Sequence, residues 1–186
     1  MMNRTMACCI ALIIALLMPA AAKAAEGIIT AKDAEIGGVR LGDKADMAKI
    51  EAALGPFKEA SGLDERGNET RGIGRSEAFG PGRRVATFEN GSISAYNGSI
   101  LSITSTRRGA ATSKGVGPGS SHRDAIKAYG TPKNQIDSIK SGKNEPFVMI
   151  GGERMIYYCD KAFTFELQFT MDSNGNVTKV RAMTIM

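Results

Sequence analysis

Along residues 163–171 the side chains alternate without a break. Phe163, Phe165, Leu167, Phe169 and Met171 are apolar, and Thr164, Glu166, Gln168 and Thr170 between them are polar. A period of two marks a strand with one face on a core and the other on water or a partner. Runs at 83–89, 92–96, 100–106, 153–159 and 177–185 predict further strands. Asn90-Gly91 and Asn97-Gly98 are hairpin dipeptides, and turns are expected at Asp160-Lys161 and over 172–175. Two stretches change to helical spacing. Met47, Ile50 and Leu54 form one apolar stripe, with Asp43 as the expected N-cap and Asp46 three residues on. Ala125, Ile126 and Tyr129 form the other, capped by Ser120 or Ser121 with Asp124 behind. Gly55-Pro56 and Gly130 to Pro132 stop these helices. Residues 58–82 and 133–152 read as long polar loops.

The chain also matches itself. Gly38-Val39-Arg40-Leu41-Gly42 is echoed by Gly115-Val116-Gly117-Pro118-Gly119, and Asn97-Gly98-Ser99-Ile100 by Asn174-Gly175-Asn176-Val177, both 77 positions on. Leu54-Gly55-Pro56 is echoed by Tyr129-Gly130-Thr131-Pro132 at an offset of 75. Such spacing predicts duplication of a unit of about 75 residues. The expected fold is α+β, a tandem repeat of two helix-plus-antiparallel-β-meander units. The first would occupy residues 36–108 and the second 109–186, after an N-terminal extension at 25–35. Each helix would cover one sheet face and leave the Ser- and Thr-rich face open. The linker at 107–114 is short, so the halves should dock.

Composition adds a compartment. Arg4 precedes an uncharged apolar run at 6–18, Pro19 breaks it, and Ala22-Lys23-Ala24 supplies a small-residue cleavage site. Residues 1–24 therefore read as a secretory signal cut before Ala25, and the apolar run at 6–18 is too short to span a bilayer as a helix. A lipid-bearing Cys would follow the apolar run, whereas Cys8 and Cys9 open it. The remaining chain carries a net charge of +3 and a single Cys, Cys159. That is far from a nucleic-acid-binding stripe and excludes an internal disulfide. One His excludes zinc sites with two or more imidazoles.

The pattern Gly-Val-x-x-Gly, a short helix ending in Tyr129-Gly130-Thr131-Pro132, and a β-meander with an x-Gly-x-Val turn resembles the beta-lactamase inhibitor protein fold. It is also similar to the outer-membrane assembly lipoprotein domain of the SmpA/OmlA type. The resemblance covers roughly residues 36–186. It implies a BLIP-like tandem fold and, from the inhibitor family, a concave sheet that grips an enzyme while a hairpin loop enters its active site.

Candidate chemistry is sparse. Residues 115–121 place glycines before a helix but lack the Gly-Lys-Ser/Thr ending of a phosphate-binding loop, so a turn and cap explain them. Cys159 and His122 fall in different elements, and Cys159, within an apolar run, reads as buried. Asp160, Asp172 and Asn174 suit turns; a calcium loop would need Glu where Met183 stands. Arg83-Arg84 and Arg107-Arg108 read as solvated strand ends, with steering of an acidic partner as the alternative. With no convergent catalytic set, the expectation is an exported, non-enzymatic protein-binding module, without cofactor or metal, in the cell envelope or outside the cell. Its expected contacts on the open face are Tyr96, Ser102, Thr104, Thr106, Glu166, Gln168, Lys179 and Arg181. The alternatives are an inhibitor of an extracellular enzyme, entering it with residues 58–82 or the Asn90-Gly91 turn, and an envelope-assembly factor.

Overall fold

The computed structural model describes residues 27–64, 66–132 and 147–185; the expected export signal lies outside them. A small antiparallel pair, β1 (Glu35–Ile36) and β2 (Val39–Arg40), precedes helix α1 (Met47–Leu54). Strands β3 (Phe57–Leu63), β4 (Glu69–Ile73), β5 (Arg83–Phe88), β6 (Gly91–Tyr96) and β7 (Ser99–Ser105) follow. After helix α2 (His122–Tyr129) come β8 (Val148–Ile150), β9 (Glu153–Cys159), β10 (Phe165–Met171) and β11 (Val177–Thr184).

These strands form a single nine-stranded antiparallel sheet, in the order β4-β3-β5-β6-β7-β11-β10-β9-β8. This corrects the expected tandem of two helix-plus-meander units. The seam is the pairing of β7 with β11, from Ser105 opposite Val180 to Ser102 opposite Met183. A separate meander would leave an exposed edge on each of these strands, and pairing them removes both edges. Beneath the sheet lies one core. It joins Ile50, Leu54, Phe88, Ile93 and Ile103 to Tyr129, Tyr158, Phe169 and Val180.

The expected loop at 58–82 is also corrected: it holds the outer hairpin β3–β4. Only Ala60 and Ile73 of these strands are buried, so their composition carries no visible alternation. Among the described residues, five strands of the large sheet thus precede α2 and four follow it, which is a further departure from two equal units.

Local chemistry sets the element ends. Asp46, not Asp43, caps α1, accepting from the backbone N–H groups of Ala48 (3.0 Å) and Lys49 (3.2 Å). Arg107 closes the other end of α1, its Nη1 donating to the Ala52 carbonyl at 2.6 Å, where the helix dipole is negative. In α2 the cap is Ser121, in a reciprocal box with Asp124. The β6–β7 turn is Asn97-Gly98, both at positive φ (49° and 75°), as a tight hairpin of this kind requires. Asn97 Oδ1 also accepts from the Gly82 N–H at 2.7 Å, tying the start of β5 to that turn.

The extension is part of the core. Ile29 is buried and donates its N–H to the Cys159 carbonyl at 3.3 Å. Asp33, also buried, accepts from the N–H and hydroxyl of Thr30 and pairs with Lys114 at 3.3 Å. The Lys114 ammonium lies 4.4 Å from the centre of the Tyr129 ring. The Tyr129 hydroxyl donates to Thr112 Oγ1 at 2.6 Å, and Tyr158 donates to the Gly130 carbonyl at 3.2 Å. Among the described residues no helix is long and apolar enough to cross a membrane.

Candidate functional site

Strand periodicity sorts the side chains onto two faces. Ala86, Ile93, Ile103, Val180, Ala182, Leu167 and Phe169 point into the core. Their neighbours point the other way, and the pairing registers align them in rows. One row runs Thr87, Ser92, Thr104, Arg181, Gln168, Tyr157 across six strands. The next runs Val85, Ser94, Ser102, Met183, Glu166. A third, at the end of the sheet, sets Leu63, Arg83, Tyr96 and Ser99 side by side. Between the second and third rows β7 carries an extra residue, Leu101, because Ser94 faces Ser102 while Ala95 faces Ile100. Such a bulge bends a strand and increases its twist.

This face holds a hollow of about 690 Å³. Its floor is mostly short and hydroxylated: Ser92, Ser94, Ser102 and Thr104. Apolar side chains rim it at Val85, Leu101, Met155, Met183 and Ile185. Its charged groups are Arg83, Arg181, Lys179 and Glu153. Lys179 reaches both carboxylate oxygens of Glu153 at 2.8 Å, so those two charges satisfy each other.

Five of the eight expected contact residues line this hollow: Ser102, Thr104, Gln168, Lys179 and Arg181. Tyr96 stands beyond its end beside Arg83 and is 55% exposed. Glu166 is on the same face and accepts from Gln168 Nε2 at 3.1 Å, but does not line the hollow. Thr106 is set apart. Its N–H and hydroxyl both donate to the Asn90 carbonyl at the β5–β6 turn. Val85, Ser92 and Ser94 were not anticipated as contacts, and Arg83 only as one of a basic pair that could steer an acidic partner. The signal for them was present in the alternation of β5 and β6, whose buried members are Ala86, Phe88, Ile93 and Ala95.

The remaining polar groups are distributed as follows. His122 and Cys159 are not brought together: His122 donates its backbone N–H to Gly175, by the β10–β11 turn, and Cys159 ends β9 opposite Glu166, at the other end of β10. A side chain at Gly175 would press on His122 Nδ1 at 2.7 Å. Asp172 Oδ1 accepts from the N–H groups of Asn174 and Asn176 at 2.9 and 2.8 Å, and these bonds hold its carboxyl below the usual carboxylate range. Asp64 is held down in the same way, through Asn68 and Arg66. These aspartates close their own turns. Among the described residues no three His, Cys, Asp or Glu side chains cluster as a metal site would require. Of the basic pairs, Arg107 caps α1, Arg84 donates to the Leu63 carbonyl, and Arg83 faces the hollow.

The class defined by this geometry is a mostly-β fold rather than the expected α+β one: a nine-stranded antiparallel sheet with the two described helices, both short, on one face and a polar hollow on the other. No protein-family model matches the chain, and no curated protein matches it by sequence. Solved structures similar to it include the following two. One is a cysteine-rich secretory protein from Staphylococcus aureus, at 15% identity and a TM-score of 0.43, over 82% of this chain and 47% of that one. The other is a DUF4309 family protein from Bacillus subtilis, at 15% identity and a TM-score of 0.39, over 84% of this chain and 91% of that one. This chain thus spans about half the length of the staphylococcal protein.

Proposed function

We propose that this chain is an exported, non-enzymatic binding module that takes a partner protein on the open face of its sheet. The observation that carries this reading is the hollow lined by Ser102, Thr104, Gln168 and Arg181, opposite a face fully committed to the core. A polar, hydroxyl-rich surface with an apolar rim can hydrogen-bond a second chain without aggregating in its absence. Export rests on residues 1–24, and mass spectrometry of the mature N-terminus tests it; a chain starting at Ala25 is expected.

The surface is tested by using the purified protein as bait for proteins of the envelope and culture medium. Ser102→Trp fills the floor of the hollow, and Arg123→Trp, on the exposed side of α2, is the control. Wild type and the control should retain the same defined protein, and Ser102→Trp should lose it. Equal capture by all three would refute the assignment of this face.

A further inference from the structure

The hollow leaves part of its charge unspent. Lys179 and Glu153 neutralise each other, but Arg83 and Arg181 are exposed and have no carboxylate partner among the described residues. Their separation follows from the registers. Arg181 is level with Thr104, Ser92 and Thr87, three strand spacings from β5, and Arg83 lies four residues further along β5. At about 4.8 Å per strand and about 3.3 Å per residue, the two Cα atoms are roughly 19 Å apart. A compact anion such as phosphate can meet only one of them. An extended chain covers that distance in about six residues.

The ends of the hollow also differ. Arg83 stands between Leu63 and Tyr96 in its row, with Val85 in the next, and these three apolar side chains are 44%, 55% and 40% exposed. Arginine beside exposed aromatic and aliphatic groups is the composition of an anchoring point. Around Arg181 the cross-strand neighbours are polar, Thr104 and Gln168, and the one apolar side chain in the next row on its own strand, Met183, is partly buried. We infer that the occupant of this face is an extended acidic protein segment, with two carboxylates about six residues apart and an apolar side chain beside the one that meets Arg83. This rests on the open face being the binding surface, and it specifies the chemistry of what binds there.

The probes are two fluorescein-labelled peptides of identical composition. In one, two glutamates stand six residues apart with a leucine next to the first; in the other the glutamates are adjacent. Anisotropy titrations should give tighter binding for the spaced peptide and loss of affinity as salt rises. Arg83→Gln and Arg181→Gln should each weaken the spaced peptide about two- to fivefold, as exposed ion pairs do. The double variant should abolish the preference between peptides. Equal affinity for both peptides, or no binding at millimolar concentration, would overturn the inference. So would binding to vesicles of anionic lipid without preference between the peptides. The same double variant used as bait separates the two ideas. If it keeps the partner that Ser102→Trp loses, the face stands and the acidic segment does not. If Ser102→Trp also keeps the partner, the face falls too.

Discussion

Phe169→Ala tests whether the molecule is one cooperative unit. Phe169 is fully buried in β10, with ring centres of Tyr129 and Tyr158 at 5.8 and 6.1 Å. Its loss removes apolar burial and leaves a cavity walled by two rings that are themselves hydrogen-bonded, so collapse is restricted. The expected cost is about 3–5 kcal/mol. For a domain of this size that lowers Tm by roughly 6–20 °C. Two probes read it at distant places. The chain has no Trp, so Tyr96→Trp adds a single reporter at the end of β6. Without residues 1–24, Cys159 is the one thiol; it is buried at the end of β9, and its reactivity reports local opening. Because β7 and β11 share a ladder and the core is continuous, both denaturation curves should shift together and stay superimposed. A Tyr96→Trp curve that stays in place while the Cys159 curve moves would refute the single unit and return the molecule to two independently folding halves.

Stability should fall at alkaline pH, because burial pushes the Tyr129 phenol up to about 12 and raises Tyr158 further. The buried phenols favour folding fully below their free value of about 10, and that contribution is lost as pH rises through the folded value; in a variant carrying Tyr96→Phe and Tyr157→Phe, phenolate absorbance should appear with unfolding rather than before it. At the acid end, Asp172, Asp64 and Asp124 have lowered carboxyls, so their contribution holds above about pH 4 and disappears as pH falls through the folded values, a trend that thermal melts across this range will check. Ser121→Ala should cost about 1 kcal/mol by removing the α2 cap, and more than Ser120→Ala, whose hydroxyl accepts only the Gly117 N–H; denaturant midpoints measure the difference. Arg107→Ala should speed amide exchange in the last turn of α1, where its guanidinium holds the Ala52 carbonyl, and leave α2 unchanged.

Much of the local structure was legible before any coordinates. Strands near 83–88, 153–159 and 177–184, and the Asn97-Gly98 turn, follow from side-chain period and from the positive φ that Asn and Gly tolerate. The helix stripes were found to within a turn, but the cap of α1 was not. Asp43 and Asp46 are equal candidates by residue type, and only the backbone path decides which carboxylate meets the free N–H groups. Strands β3 and β4 escaped because an outer hairpin buries almost nothing on either face. Phe163 misled in the opposite sense: it continues the alternation of β10, yet it sits in the preceding turn at φ 53° and is 54% exposed. Five of the eight expected contact residues share the hollow because alternation assigns faces correctly within a strand. Val85 and Ser94 were missed because neighbours across a sheet depend on register.

By itself, the order of residues determined where strands, turns and helices begin and which side of each strand is apolar, since these depend on contacts within a few positions. Only the tertiary structure decided that β7 and β11 join, that Arg83 and Arg181 stand across one hollow, and that Ile29 completes the core with Asp33 buried beside it in the same segment. Ser105 meets Val180 across the seam. A pairing between such distant segments is selected by the shared burial of both strands and the removal of their open edges, and no short window of sequence carries that energy.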